Sequence, residues 1–249
     1  MKDNSTLDMM LRSLRLPGVL REHHRMAESA ESGEWSYEQY LKALIELEIN
    51  ERQQRRIQRL LKRSNLPDGK TLSTLDKKQL PVKIRRQIPS LLDGGFIERA
   101  ENILAFGLPG RGKTHLLAAI AHELIISKGY NVLFINTRQL VEKLLIAKRD
   151  LQLEAALKKL DRFEVVVLDD IGYVQQNREE MEVLFTFLSE RYERRSLMIT
   201  SNLVFSEWDR IFKDPMTTAA AIDRLVHHSV ILELNNQSYR AEQARKRQG

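Results

Sequence analysis

The 249 residues contain no cysteine, which removes disulfides, thiolate metal sites and thiol catalysis together. No apolar run approaches the roughly 20 residues of a membrane span, and the opening Met-Lys-Asp-Asn-Ser-Thr lacks the apolar stretch of a secretory signal. A soluble, cytoplasmic protein is the expectation. Aromatic residues make up only 6% of the chain, and no internal repeat or low-complexity tract interrupts it. What is present suits a large packed domain with a smaller appendage: 42% hydrophobic and 30% charged residues.

The most informative stretch is Gly107-Leu108-Pro109-Gly110-Arg111-Gly112-Lys113-Thr114, a full G-x-x-x-x-G-K-[ST] phosphate loop. Its flanks have the context that the motif needs. Asn102 to Phe106 reads as a buried strand, and His115 to Leu124 reads as a helix. The glycines free the backbone so that N–H groups converge on phosphate oxygens at a helix N-terminus. Lys113 then meets the β- and γ-phosphates, and the Thr114 hydroxyl ligates Mg2+.

Charge is distributed unevenly. The net value is +6, yet residues 50 to 86 hold twelve Lys or Arg against Glu51, Asp68 and Asp76. Residues 1–66 read as an all-helical N-terminal domain: Leu7 to Leu16 is amphipathic, Pro17-Gly18 breaks it, and Ser36 caps a helix running to about Ser64. On that helix Leu41, Leu44 and Ile45 share a face, and Arg52, Arg55, Arg56, Arg59, Lys62 and Arg63 fall within roughly 120° in the same sector. One side of the helix therefore changes from apolar to basic near Asn50. The basic half is the candidate surface for double-stranded DNA, with sequence-tolerant phosphate contacts. The bland alternative is a solvated face.

Residues 67–95, with Pro67, Gly69, Pro81, Pro89 and Gly94-Gly95, read as a connector with short helical pieces. From 96 to 249 strands and helices alternate, which predicts an α/β domain with a mostly parallel sheet covered on both faces. Strands are expected at 102–106, 131–135, 164–168, 196–200 and 229–234. Helices are expected at 113–127, 137–147, 151–160, 178–194 and 216–227.

Three further positions complete a nucleotide site. Val165-Val166-Val167-Leu168-Asp169-Asp170 is an apolar strand ending in two carboxylates; Asp169 is assigned to the Mg2+ shell and Asp170 to polarising the attacking water. The next strand ends in Ile199-Thr200-Ser201-Asn202, where Asn202 would sit between the γ-phosphate and that water. Ile222-Asp223-Arg224-Leu225 closes a helix, and Arg224 is the candidate finger that completes a neighbouring subunit's site. Arg191, Arg194 and Arg195 are weaker competitors for that role. Turn residues and surface ion pairs are the alternatives for all of these.

With these residues in hand, the chain resembles the IstB/DnaC branch of the AAA+ ATPases, and within it the IstB-like helpers of insertion-sequence transposition. The resemblance rests on Gly107 to Thr114 running into His115-Leu116, on Val-Leu-Asp-Asp-Ile-Gly at 167–172, on Ile-Thr-Ser-Asn-Leu at 199–203, and on Ile-Asp-Arg-Leu at 222–225 with Ser-Tyr-Arg at 238–240. It implies a P-loop AAA+ core behind a small helical domain; a separate C-terminal lid domain is not expected, since only fifteen residues follow Leu234. It also implies an ATPase using ATP and Mg2+ that oligomerises on duplex DNA with shared active sites, remodels target DNA and delivers it to a partner transposase. His115 and Arg240 join the loop residues as cofactor contacts. Asp170 stands where AAA+ proteins usually carry Glu, a departure that is itself usual in this branch. A DnaC-like helicase loader, a small-molecule kinase and a non-hydrolysing ATP-binding module are the competing functions.

Overall fold

The computed structural model describes residues 3–173, 178–203, 207–208 and 215–235. The chain divides into two compact units that meet between Arg59 and Leu60, within one long helix.

The first unit is helical: α1 (Asp3–Ser13), α2 (Pro17–Ser32) and the greater part of α3 (Tyr37–Ser64). The expected break at Pro17-Gly18 is a helix start, because proline at N1 lacks only an N–H that would be unpaired anyway. Ser36 caps α3 reciprocally with Gln39: the Gln39 N–H donates to Ser36 Oγ at 3.2 Å, and the Ser36 N–H donates to Gln39 Oε1 at 2.7 Å. Leu11, Val19 and Leu44 form a small core with Leu16, Leu20, Met26 and Tyr40 around it. Of the three apolar residues expected to share a face of α3, Leu44 is buried, whereas Leu41 and Ile45 are exposed.

Glu48 is a buried carboxylate in this unit. Its Oε2 accepts the N–H of Gly18 at 2.7 Å and of Val19 at 3.3 Å, so α3 supplies the cap that α2 lacks in its own sequence. A Cβ on Gly18 would stand 2.8 Å from Glu48 Oε2 and 2.9 Å from Leu47, which is why glycine belongs there.

In the second unit, α4 (Val82–Asp93) is longer than the short pieces expected of the connector. Ile84, Ile88 and Leu91, at helical spacing, bury one face of it, and Gly94 in the left-handed region (φ +85°) stops it. After the single turn α5 (Gly95–Glu98) come β1 (Asn102–Phe106), α6 (Lys113–Glu123), β2 (Val132–Asn136), α7 (Thr137–Arg149), α8 (Leu153–Asp161) and β3 (Val165–Asp169). They are followed by α9 (Arg178–Arg191), β4 (Ser196–Ser201), α10 (Pro215–Val226) and β5 (Ser229–Glu233). α6 passes into a π-helical turn at Leu124–Lys128.

All five strands pair in parallel, in the order β2-β3-β4-β1-β5. The central strands β1 and β4 are buried along their whole length, as a sheet covered on both faces requires. One face packs Leu104, Val166, Leu168 and Ile199 against α7, α9 and α10 through Leu140, Val183, Phe187 and Leu225.

Candidate nucleotide site

β3, β4 and β1 are neighbours in the sheet, so the segments leaving their carboxyl ends converge on one edge. These segments carry Asp169-Asp170, Asn202 and the phosphate loop, which lie far apart in the chain.

The loop is shaped by two different glycine requirements. A Cβ on Gly107 would stand 2.5 Å from the Leu234 carbonyl oxygen, where the chain beyond β5 pairs with Phe106 through a 2.8 Å hydrogen bond. Gly112 has open space around it; its need is conformational, since it begins α6 from the left-handed region at φ +87°. Lys113 follows as the first residue of α6 and is 7% exposed. Its ammonium donates to the carbonyls of Gly107 (2.6 Å) and Leu108 (3.1 Å) and to Asn202 Oδ1 (2.5 Å).

Around Asp169 the bonds are equally specific. Its Oδ1 accepts from the hydroxyls of Thr114 and Thr200, both at 2.8 Å, and its backbone carbonyl accepts from the Thr137 hydroxyl at 3.0 Å. Asp170 adopts the left-handed region (φ +65°), donates its N–H to Thr200 Oγ1 at 2.7 Å and accepts from Asn202 Nδ2 at 2.9 Å through Oδ1. Burial, and then the Asp169 charge, push the Asp170 carboxyl above the usual aspartate range, with Lys113 opposing them. Asn202 thus bridges Lys113 and Asp170, amide oxygen to one and amide nitrogen to the other.

This edge fits a nucleotide triphosphate with Mg2+. Lys113 supplies a nearly buried cation, Thr114 and Asp169 bring two hard oxygen donors within 2.8 Å of each other, and Arg111 Nε is buried without a hydrogen-bond partner on the loop. Lys113, Thr114, Asp169, Asp170 and Asn202, singled out in the sequence, are therefore brought together.

The remaining candidates have other neighbours. His115 Nε2 is 3.1 Å from Thr74 Oγ1 and 3.3 Å from the Thr71 carbonyl, so its ring engages the connector; burial lowers its pKa. Leu108 is exposed at the tip of the loop. Arg224 lies 4.9 Å over the Phe185 ring and donates to the Ala220 carbonyl, contacts away from the phosphate-loop cluster. Arg191 is buried and donates to the carbonyls of Leu160, Phe163, Glu164 and Ser196 at 2.9 to 3.3 Å. Burial pushes its pKa down to about 9, and these four acceptors hold it as an internal strut that cannot reach another subunit. Arg194 pairs with Asp161 and Glu190. Arg240 lies outside the described residues.

The six residues of the basic stripe are exposed, but not equivalent. Arg52 bonds Glu48 Oε1 (2.9 Å) and the Arg15 carbonyl (2.7 Å), Arg55 pairs with Glu51, and Arg63 stacks 5.8 Å from the Phe163 ring. Sequence reasoning missed Thr200 and Thr137. Thr200 left a faint signal, a hydroxyl two residues before Asn202, but Ser196 and Ser201 at the ends of the same strand carry hydroxyls too. Thr137 left none, because it acts on a backbone atom.

A parallel sheet in this order, with a phosphate loop after β1, paired carboxylates at the end of β3 and an asparagine after β4, has the fold of the P-loop AAA+ class. The solved structures agree in fold: the chain is similar to AMPPCP-bound DnaA from Aquifex aeolicus (TM-score 0.57, 15% identity, 74% of this chain and 57% of that one). It is likewise similar to DnaI (TM-score 0.55, 21% identity, 70% and 94%). The chain belongs to the IstB-like ATP binding protein family, whose profile matches residues 9–247. It is 46% identical over 243 residues to an insertion sequence ATP-binding protein of Sinorhizobium fredii (strain NBRC 101917 / NGR234), covering 97% of this chain and 81% of that one. It is 40% identical to the IS5376 ATP-binding protein of Geobacillus stearothermophilus, covering 93% and 92%, and 36% identical to the IS21 ATP-binding protein of Pseudomonas aeruginosa, covering 96% and 90%.

Proposed function

We propose that this protein is a Mg2+-dependent, cytoplasmic ATPase that oligomerises on duplex DNA, remodels target DNA and recruits or activates a partner transposase during transposition. One observation carries the reading: a hydrogen-bonded set from the phosphate loop to Asp170, with Asn202 touching both Lys113 and Asp170. Mg2+, held by Thr114 and Asp169, would supply charge neutralisation at the phosphates. Lys113 binds the phosphates, Asn202 orients the attacking water, and Asp170 accepts its proton. Among the described residues this hydrogen-bonded set includes no arginine, and Arg224 of a neighbouring subunit would supply the finger. Hydrolysis is thereby coupled to assembly.

The test is an ATPase assay alongside electron microscopy, with and without duplex DNA. Large ordered assemblies should form with ATP and duplex, and Arg224→Ala should abolish hydrolysis while leaving ATP binding intact. Monomers on DNA, or an active Arg224→Ala protein, would sink the proposal.

A second reading, a helicase loader whose N-terminal helices grip a protein, is favoured by one feature. Tyr37, Leu41, Ile45 and Ile49 follow one another at four-residue spacing along α3, all exposed. Pull-down against a transposase and against a replicative helicase separates the two.

A further inference from the structure

The helical unit holds a pair of polar atoms that its own fold leaves unsatisfied. His23 is 6% exposed, and its Nδ1 lies 3.1 Å from the Val19 carbonyl and 3.2 Å from the Leu20 carbonyl. Both neighbours are acceptors, so Nδ1 carries a proton, and in that tautomer of the ring Nε2 presents a bare lone pair. That lone pair faces Asp8 Oδ1 across 3.8 Å, and both atoms are buried without a hydrogen-bond partner. Two acceptors facing each other out of water are unfavourable unless something positive lies between them.

The third member is the exposed His24, whose ring centroid is 4.0 Å from that of His23. One ligand atom from each of Asp8, His23 and His24 lies within 4.8 Å of the others. We propose that Asp8, His23 and His24 bind a divalent transition-metal ion of the zinc type. Two imidazoles and a carboxylate are the donor set that zinc takes when cysteine is absent, with a fourth position left to water. Bonds of about 2.1 Å in a tetrahedral shell separate two ligand atoms by about 3.4 Å, so Nε2 and Oδ1, at 3.8 Å, need to close by only a few tenths of an ångström. The Nδ1–H bonds to backbone carbonyls are the outer support that fixes the tautomer and aim of a metal-ligating histidine. Since Asp8 belongs to α1 and the histidines to α2, the ion would tie the first helix to the second.

A second group, Glu193, His227 and His228, lacks the feature that carries the proposal, because all three are exposed. It provides the internal control. The full-length protein, stripped with a chelator, is titrated with Zn2+ by calorimetry and with Co2+ by visible absorption, while hydrogen exchange follows the α1 amides. One Zn2+ should bind per chain at this site, with slower exchange in α1. Asp8→Asn and His24→Gln, chosen because they conserve shape or lie at the surface, should each weaken binding at least about tenfold and abolish the slowing. His228→Gln should change neither. Absence of saturable binding would overturn the proposal and leave an imidazolium–carboxylate pair as the account of His23 and Asp8. Equal binding by all four proteins, or loss of it only in His228→Gln, would overturn it as well.

Discussion

Thr200 shows how one hydroxyl can serve two neighbours: it donates to the Asp169 carboxylate and accepts the backbone N–H of Asp170, so it ties the aim of the one to the backbone of the other. Thr200→Val keeps the shape and removes both bonds. With the charge-assisted bond to Asp169 worth about 1.5–3 kcal/mol, kcat should fall roughly 10- to 100-fold while ATP affinity changes little, and Thr200→Ser should restore turnover in steady-state assays. Asp170 makes a separate prediction. A base must be ionised to accept a proton, and this carboxyl is held above the usual aspartate range by burial and by Asp169. The acid limb of the pH–rate profile should therefore lie above that range, and Asp170→Asn should abolish hydrolysis but not ATP binding. The stability sign is the opposite. A carboxyl whose folded pKa is raised costs stability when ionised, and the cost disappears as pH falls through that folded pKa. Asp170→Asn should accordingly melt higher than the parent at neutral pH, which a thermal denaturation series checks.

Among the helices, the joint between α2 and α3 depends on a single buried carboxylate. Burial opposes the charge on Glu48, but Arg52 and the amides of Gly18 and Val19 outweigh it and hold the pKa below the usual glutamate range. Its contribution is therefore complete above the unfolded-state pKa and is lost as pH falls through the lowered folded value. Glu48→Gln should weaken protection of the α2 amides by about 1–3 kcal/mol in hydrogen exchange at neutral pH and flatten its acid dependence. Protection equal to the parent would rule out the interhelical cap. The same joint gives Arg52, read in the sequence as a DNA contact, a structural task in addition.

For the whole molecule, the basic stripe sets a measurable electrostatic term. Six phosphate contacts would give a log-log salt slope of about −5.4, and each residue that stays in its own ion pair, as Arg52 with Glu48 or Arg55 with Glu51, would make it shallower by about 0.9. Duplex binding by fluorescence anisotropy over a salt series measures the slope, and a flat response would remove the stripe from the interface. No helix among the described residues is long and apolar enough to cross a membrane.

The strand–helix alternation, the phosphate loop and the strand-end carboxylates were legible because each rests on local pattern: period, glycine spacing, and a run of Val closed by Asp. All five strands fall within two residues of their expected bounds, and Ser36 caps its helix as read. The connector helix α4 was not legible, since Pro81 and Pro89 signal breaks and its stability comes from burying Ile84, Ile88 and Leu91. Nor were the role of Thr200, the turn of His115 towards Thr71 and Thr74, or the strut made by Arg191. Each depends on strands and helices brought side by side from distant parts of the chain, through contacts that no spacing along the chain encodes. Local chemistry thus names the candidate groups for phosphate, whereas the order of strands in the sheet determines which of them touch.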